Sequence, residues 1–366
     1  MNNHLGIFNG AKVVVTGHTG FKGSWLCLWL QSLGASVTGI SNEIPTVPSL
    51  YDEAILGANI NDHRTDIRDQ KEVVKIIKNV EPNFIFHLAA QPLVRESYEN
   101  PSETFSTNVM GTISVLEALR ELKNPTVAVM ITSDKCYENV EWEWGYRETD
   151  SLGGYDPYSG SKGAAELAIR SYQKSYFAAS ENIRIGVGRA GNVIGGGDWA
   201  KDRLIPDTVR AWSNAETVEI RNSAATRPWQ HVLEPLSGYL TLANSLHNSN
   251  ANSGEAFNFG PPSDQTYSVK KMLSEFENHI DLNMNCSVKF QQSGPHEATL
   301  LQLNCDKAFH KLSWRPNWDF NQTVKATAGW YSNFYSKEQL SVLDFTMSQI
   351  KEYCENAKAL RLPWAN

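Results

Sequence analysis

Ser133, Asp134, Lys135, Tyr158 and Lys162 are the residues of this 366-residue chain whose types and spacing could do chemistry. The first three bring a hydroxyl, a carboxyl and an amine directly after the apolar run Val127-Ala128-Val129-Met130-Ile131. Such a run reads as a buried strand, and open parallel sheets keep ligands in the crevice at the carboxyl ends of their strands. Tyr158 and Lys162 are four apart, so on a helix they share a face. A cation beside a phenol favours the phenolate, which suits the pair to moving a proton. One crevice would then hold a base for a hydroxyl and a second acid/base set beside it. The same residue types have ordinary uses: Tyr and Lys four apart occur on solvated helix faces, and Ser and Asp cap turns. The flanks favour chemistry. Asp156-Pro157 starts a helix, and Gly160 and Gly163 leave room for another body to approach.

Elements must position these groups, and the first half supplies them alternately. Strand-like runs lie at 12–16, 36–41, 84–90, 127–131 and 183–188, with helical patterns to about residue 33 and at 72–78 and 109–122. Alternating strands and helices imply a parallel, doubly wound α/β sheet. After the first strand comes Gly17-His18-Thr19-Gly20-Phe21-Lys22-Gly23. Glycines there permit a tight turn and close approach of backbone to a pyrophosphate, and the following helix offers free N–H groups. A plain strand-to-helix turn would use the same residues, but the position after the first strand favours a dinucleotide. Ser41-Asn42-Glu43 occupies the usual place of the ribose-binding acid, with no Arg or Lys nearby for a 2′-phosphate, which favours NAD over NADP. Asp66 could accept from the adenine amine or cap the next helix.

The net charge of −7 argues against nucleic acid as a partner. The five cysteines, Cys27, Cys136, Cys286, Cys305 and Cys354, have no metal-binding spacing and read as reduced thiols of a cytoplasmic protein. No metal is expected. No apolar run approaches the ~20 residues that span a bilayer, so no membrane partner is expected. The run Trp25-Leu26-Cys27-Leu28-Trp29-Leu30 reads as a buried helix face.

With the glycine loop, the strand-end triplet and Tyr-x-x-x-Lys in this order, the chain resembles the extended short-chain dehydrogenase/reductase family over nearly its whole length. Within that family it looks like the nucleotide-sugar 4,6-dehydratases, through residues 16–23, 132–137 and the Trp-rich 141–148. The resemblance implies a Rossmann-type NAD-binding domain over 1–190 and a smaller α/β domain over 191–366 that mainly binds the nucleotide sugar, with some segments returning to the first. It implies NAD held by Gly17, Thr19, Gly20, Phe21, Lys22 and Gly23, with Asp66 and Ile67 at adenine. Leu88, Ala89 and Ala90 would flank the cofactor, Asn108 would lie near the catalytic helix, and Lys162 would hold the nicotinamide ribose. Tyr158, lowered from ~10 by Lys162 and the cationic nicotinamide, would deprotonate a C4 hydroxyl shared with Ser133. Asp134 would be the acid at C6. Most such enzymes carry Asp-Glu where this chain has Asp134-Lys135, and the branch acting on CDP-glucose looks like Asp-Lys. The departure implies CDP-glucose as substrate and leaves the C5 base open between Lys135 and another group. Lys135 could instead be a structural amine paired with Asp134 or Glu138.

In the second half the resemblance assigns Asn192, Arg203, Leu204 and Arg227 to the nucleotide sugar. His231 reads as a packed histidine, Trp314 as structural, and Trp142 and Trp144 as packing a loop or covering the sugar. His296 is a weaker candidate to face the substrate. The family's usual assembly implies a homo-oligomer, dimer or tetramer, through helices near 109–122 and 163–176. Alternative readings are another nucleotide-sugar dehydratase, a nucleotide-sugar 4-epimerase that would not need Asp134-Lys135, and a non-catalytic nucleotide-binding regulator.

Overall fold

The computed structural model describes residues 4–220, 223–281, 287–290, 300–336 and 340–365. Cys286 and His296 lie outside the described residues. Seven parallel strands form the central sheet: β1 Lys12–Thr16, β2 Ser36–Ser41, β3 Asn61–Arg64, β4 Phe84–His87, β5 Thr126–Ile131, β6 Ile183–Arg189 and β7 Ala256–Asn258. Their order is β7-β6-β5-β4-β1-β2-β3. The order reverses between β1 and β4, where a doubly wound sheet opens its ligand crevice. Val13, Val14 and Val15 are all buried, as a central strand covered on both faces requires. The strand expected over 84–90 stops at His87, and residues 88–90 form the crevice edge.

Helix α1 (Phe21–Ser32) follows β1 and buries nearly all its faces. It sits between the sheet and the C-terminal helices. Trp25 Nε1 donates to the Gly196 carbonyl at 2.9 Å, and the Trp29 ring packs on Tyr353 and Trp364. A helix apolar all round is a core helix, as the sequence predicts. Helix α2 (Gln70–Val80) buries only Val73, Ile76 and Ile77 and is capped by Asp69, whose side chain accepts from Glu72 N. The cap role open to Asp66 therefore belongs to Asp69. Helices α3 (Gly111–Glu121) and α4 (Pro157–Tyr172) complete this face. Asp156 caps α4 by accepting from Ser159 N at 2.9 Å, and Pro157 takes its first turn.

The second half is woven into the first. β7 extends the sheet beside β6. Helix α5 (Leu204–Ser213) borders the crevice, and α6 (Leu233–Asn248) packs on β6, where a side chain at Gly186 would strike Leu242 and Leu246. One apolar cluster runs from Val13 and Trp25 through Leu236 to Trp330. No helix among the described residues is long and apolar enough to cross a membrane.

His231 is fully buried, wedged between the rings of Trp25 and Trp318, and its Nε2 has no partner among the described residues. It is a packed histidine, as expected. Burial pushes His231 down to about 3, as it does His87. A histidine depressed by folding contributes stability above its ordinary 6.5, lost as pH falls toward 3. Glu234, pushed up to about 7 by burial, acts in the opposite sense, losing stability as pH rises. The difference between variants isolates the histidine. His231→Phe should reduce the loss of stability between about pH 7.5 and about pH 5 by roughly 2 kcal/mol, read from denaturant unfolding at the two pH values. An unchanged acid slope would mean His231 does not titrate on unfolding.

Candidate active site

The glycine turn closes on itself at the crevice. Gly17 has φ +74°, and a Cβ on it would lie 2.7 Å from Ala89 N. A Cβ on Gly23 would lie 2.1 Å from the Gly17 carbonyl oxygen. Gly20 N donates to that oxygen at 3.1 Å, and Ser24 N to the Gly20 carbonyl at 2.9 Å. Gly20 caps α1 with no side-chain bond, which leaves first-turn N–H groups for an anion. Thr19 Oγ1 donates to the Glu43 carbonyl at 2.6 Å, binding the turn to the end of β2. The Phe21 ring reaches the second half, at 3.2 Å from a Cβ placed on Gly195.

The opposite wall begins at Leu88, Ala89 and Ala90. Leu88 N donates to the Thr16 carbonyl and Ala89 N to Thr16 Oγ1, each at 3.1 Å. Buried His87 bridges Thr16 and Thr112 at 2.8 and 3.1 Å, fixing β1, β4 and α3 together. Asp66 lies beyond β3, where its carboxylate grips the Arg68 guanidinium and backbone N–H, and this pairing holds its carboxyl low. Ile67 is buried against Gly111. Ser41 turns inward to His18 and leaves Asn42 and Glu43 exposed.

Asn108 is buried in a π-helical turn, Ser106–Met110. Its Nδ2 donates to Ser161 Oγ at 2.8 Å and to the Gln91 carbonyl at 3.1 Å, and its Oδ1 accepts from Gln91 N at 2.8 Å. The residue thus joins the crevice wall to α4. Such π-turns recur at functional sites because they re-aim a side chain.

On α4, Tyr158 and Lys162 are buried on one face, with Lys162 Nζ 6.0 Å from the Tyr158 ring centre. Ser133 lies close enough to the Tyr158 hydroxyl to favour its ionised form. Burial pushes Tyr158 up to about 12, helped by Asp134 and opposed by Ser133 and Arg203. Desolvation outweighs Ser133 and Arg203 here, whereas the expected lowering by Lys162 and the cationic nicotinamide belongs to the cofactor-bound site. Lys162 is itself pushed down to about 8 by burial. Ser133 Oγ donates to Asp134 Oδ1 at 2.7 Å and accepts from Lys135 N at 3.2 Å. Asp134 is buried; its Oδ2 accepts from Asn192 Nδ2 at 3.4 Å and fills the space a side chain on Gly191 would need. Asp134 pairs with Ser133 and Asn192, and Lys135 makes no ion pair among the described residues. The structural alternative for Lys135 is therefore absent from these contacts.

Lys22 reaches further than the cofactor loop. Burial pushes it down to about 8, with Arg203 and Lys162 acting in the same direction and Asp134 and Asp198 opposing. Arg203 caps the start of α5 and pairs with Asp198 at 2.8 Å, within electrostatic range of Tyr158. Leu204 follows, packed on the main core. Arg227 lies on a separate two-stranded pair, Thr226–Arg227 against Tyr267–Ser268, whereas Asn192 Nδ2 donates to Asp134. Trp142 packs on Tyr146, itself stacked on Tyr137, whereas Trp144 is 70 % exposed. Trp314 is buried and donates to Ser237 Oγ.

Sequence reasoning missed the groups behind the turn. Glu166 and Arg189 form an ion pair at 2.7 Å, each 4 % exposed. Two signals were available: an acid four residues after Lys162, and an arginine ending an apolar strand.

A glycine turn for a pyrophosphate, a Tyr-Lys helix and a strand-end acid define a short-chain dehydrogenase-type site on a Rossmann sheet. The family pattern described as GDP-mannose 4,6 dehydratase matches residues 14–327, and the chain belongs to that family. It is 46% identical to the CDP-glucose 4,6-dehydratase of Salmonella typhimurium over 92% of this chain and 94% of that protein. It is 24% identical to a UDP-glucose 4-epimerase of Mycoplasma pneumoniae, over 89% and 98% of the two chains. The fold matches a dTDP-glucose 4,6-dehydratase of Streptomyces venezuelae, solved with NAD, at TM-score 0.74 and 20% identity, over 87% of this chain and 96% of that one.

Proposed function

We infer that the chain removes water from CDP-glucose, giving CDP-4-keto-6-deoxyglucose with NAD as a recycled cofactor. The observation that carries this reading is the juxtaposition of two proton-transfer sets, Tyr158 with Lys162 and Asp134 with Lys135, with Ser133 and Asp134 both within electrostatic reach of Tyr158. The 46% relative supports the cytidine nucleotide. NAD fits the residues present: the Gly17 turn leaves no room for a side chain, and free N–H groups face the pyrophosphate position. Gly17, Thr19, Gly20, Phe21, Lys22, Gly23, Asp66, Ile67, Leu88, Ala89, Ala90 and Asn108 would hold it, with Lys162 at the ribose. Bound NAD supplies what no side chain can, a hydride acceptor at C4 that gives the hydride back at C6.

The chain's own groups then move protons. Tyr158 takes the C4 hydroxyl proton while Ser133 holds that hydroxyl in line. The 4-ketone acidifies C5–H, and Lys135 is the group assigned to remove that proton. Asp134, buried between Ser133 and Asn192, is the group assigned to protonate the departing C6 hydroxyl. Asn192 and Arg203 border the space for the sugar diphosphate, with Leu204 and Arg227 contributing to nucleotide recognition. We assign cofactor binding mainly to residues 1–190 and the nucleotide sugar mainly to 191–366, with β7 and α6 returning to the first unit. Kinetics with CDP-, UDP-, dTDP- and GDP-glucose test the substrate. The highest kcat/KM should belong to CDP-glucose; a preference for another nucleotide would overturn the assignment.

Free thiols at Cys27, Cys136, Cys305 and Cys354 fit a reducing, cytoplasmic setting. Self-association is supported by large apolar side chains left exposed around α3 and α4: Met110 at 50%, Leu167 at 56% and Tyr176 at 53%. A second copy laid against this face would make a four-helix bundle. Leu167→Glu should lower the molar mass in light scattering to that of the monomer. A monomeric native enzyme, or a variant of unchanged mass, would contradict the placement.

A further inference from the structure

The turn that carries the second acid/base set is held from both sides by one buried ion pair. Thr132, immediately before Ser133, donates through Oγ1 to Glu166 Oε1 at 2.6 Å. Tyr137, just after the turn, accepts at its hydroxyl from Arg189 Nη1 at 2.7 Å. Arg189 closes the circuit with Nε to Glu166 Oε1 at 2.7 Å and Nη2 to Oε2 at 2.9 Å. Glu166 stands on α4 one turn beyond Lys162, so it shares the helix of the first acid/base set. The Tyr137 hydroxyl passes the link on to Asn258 Oδ1 at 2.8 Å, and Asn258 Nδ2 donates to the Tyr146 and Asn304 carbonyls. Asn258 N and Arg189 Nη1 both bond Glu148. Thr132, Tyr137, Glu166, Arg189 and Asn258 are all buried.

We propose that the Glu166–Arg189 pair is a positioning device for the dehydration half of the reaction, holding both flanks of the Ser133–Lys135 turn in register with Tyr158 and Lys162. The inference rests on the dehydratase reading above. The two acid/base sets act in succession on neighbouring carbons of one sugar. Each must reach its atom within hydrogen-bond distance, and a displacement of about 1 Å can cost about 100-fold in rate. Tyr158 and Lys162 are fixed by their helix. Asp134 and Lys135 sit on a single short turn, whose placement relative to that helix is set by what grips its two ends. A guanidinium suits the task because its planar fork serves two partners in fixed directions, which a lysine cannot do.

Removing Glu166 or Arg189 would strand a buried charge and endanger folding. The test therefore removes single hydroxyls. Thr132→Val and Tyr137→Phe each cut one flank and keep the pair. With CDP-glucose, single-turnover appearance of reduced cofactor reports C4 oxidation, and product formation reports elimination. Each variant should oxidise C4 within about twofold of the native rate and eliminate water about tenfold more slowly, so that reduced cofactor accumulates. Thr132→Ser should restore elimination. Variants that are folded by circular dichroism and run both steps at native rates, or slow both equally, would overturn the proposal and leave the dehydratase reading intact. A native enzyme inert toward every nucleotide sugar would overturn both.

Discussion

Tyr158→Phe should lower kcat about a thousandfold, while binding of the nucleotide sugar changes by less than about threefold. The substitution removes one oxygen from a buried helix face and keeps the ring. That oxygen lies within reach of Ser133 and Asp134, and Ser133 donates to Asp134 Oδ1. Without it the C4 hydroxyl has no base and the first step stops. Burial disfavours the Tyr158 phenolate, and a cationic cofactor beside it would favour it. Isotope exchange at C5 should also vanish, since no 4-ketone forms to acidify it. A variant that kept exchange at C5 would place the C4 base elsewhere.

Lys135→Ala should divide the reaction differently. C4 oxidation persists within a few-fold, and elimination falls by about 100-fold to 1000-fold. The reduced cofactor then accumulates in the first turnover, and the sugar retains its C6 hydroxyl. Lys135 has no ion-pair partner among the described residues, so its removal leaves no buried charge unpaired. Stability should therefore change by less than about 1 kcal/mol. Normal elimination with deuterium still exchanging at C5 would rule Lys135 out as the base. Asp134→Asn, by contrast, should permit exchange at C5 and block departure of the C6 hydroxyl, because its proton donor is gone.

The chemistry of this chain was legible where it is local. Val127 to Ile131 followed by Ser133 announced a strand and the turn at its carboxyl end, and Asp156-Pro157 announced the helix of Tyr158. The glycine turn followed from spacing, because only glycine fits where Ala89 N lies 2.7 Å from a Cβ. What escaped depends on distant pairing. β3 reads Asn61-Asp62-His63-Arg64 and carries no apolar signal, since it is an edge strand. β7 is three residues long and gains its place from β6. Arg189 and Glu166 are 23 positions apart, and nothing local says they meet. Asp66 was read as a possible cap because sequence could not show that Asp69 takes that role.

The most direct test of the dehydratase reading is mass spectrometry and proton NMR of the nucleotide sugar after incubation with CDP-glucose and catalytic NAD in heavy water. The account predicts loss of one water, a 6-deoxy methyl group and deuterium at C5. A product of unchanged composition that keeps its C6 hydroxyl would contradict it and assign the site to epimerisation.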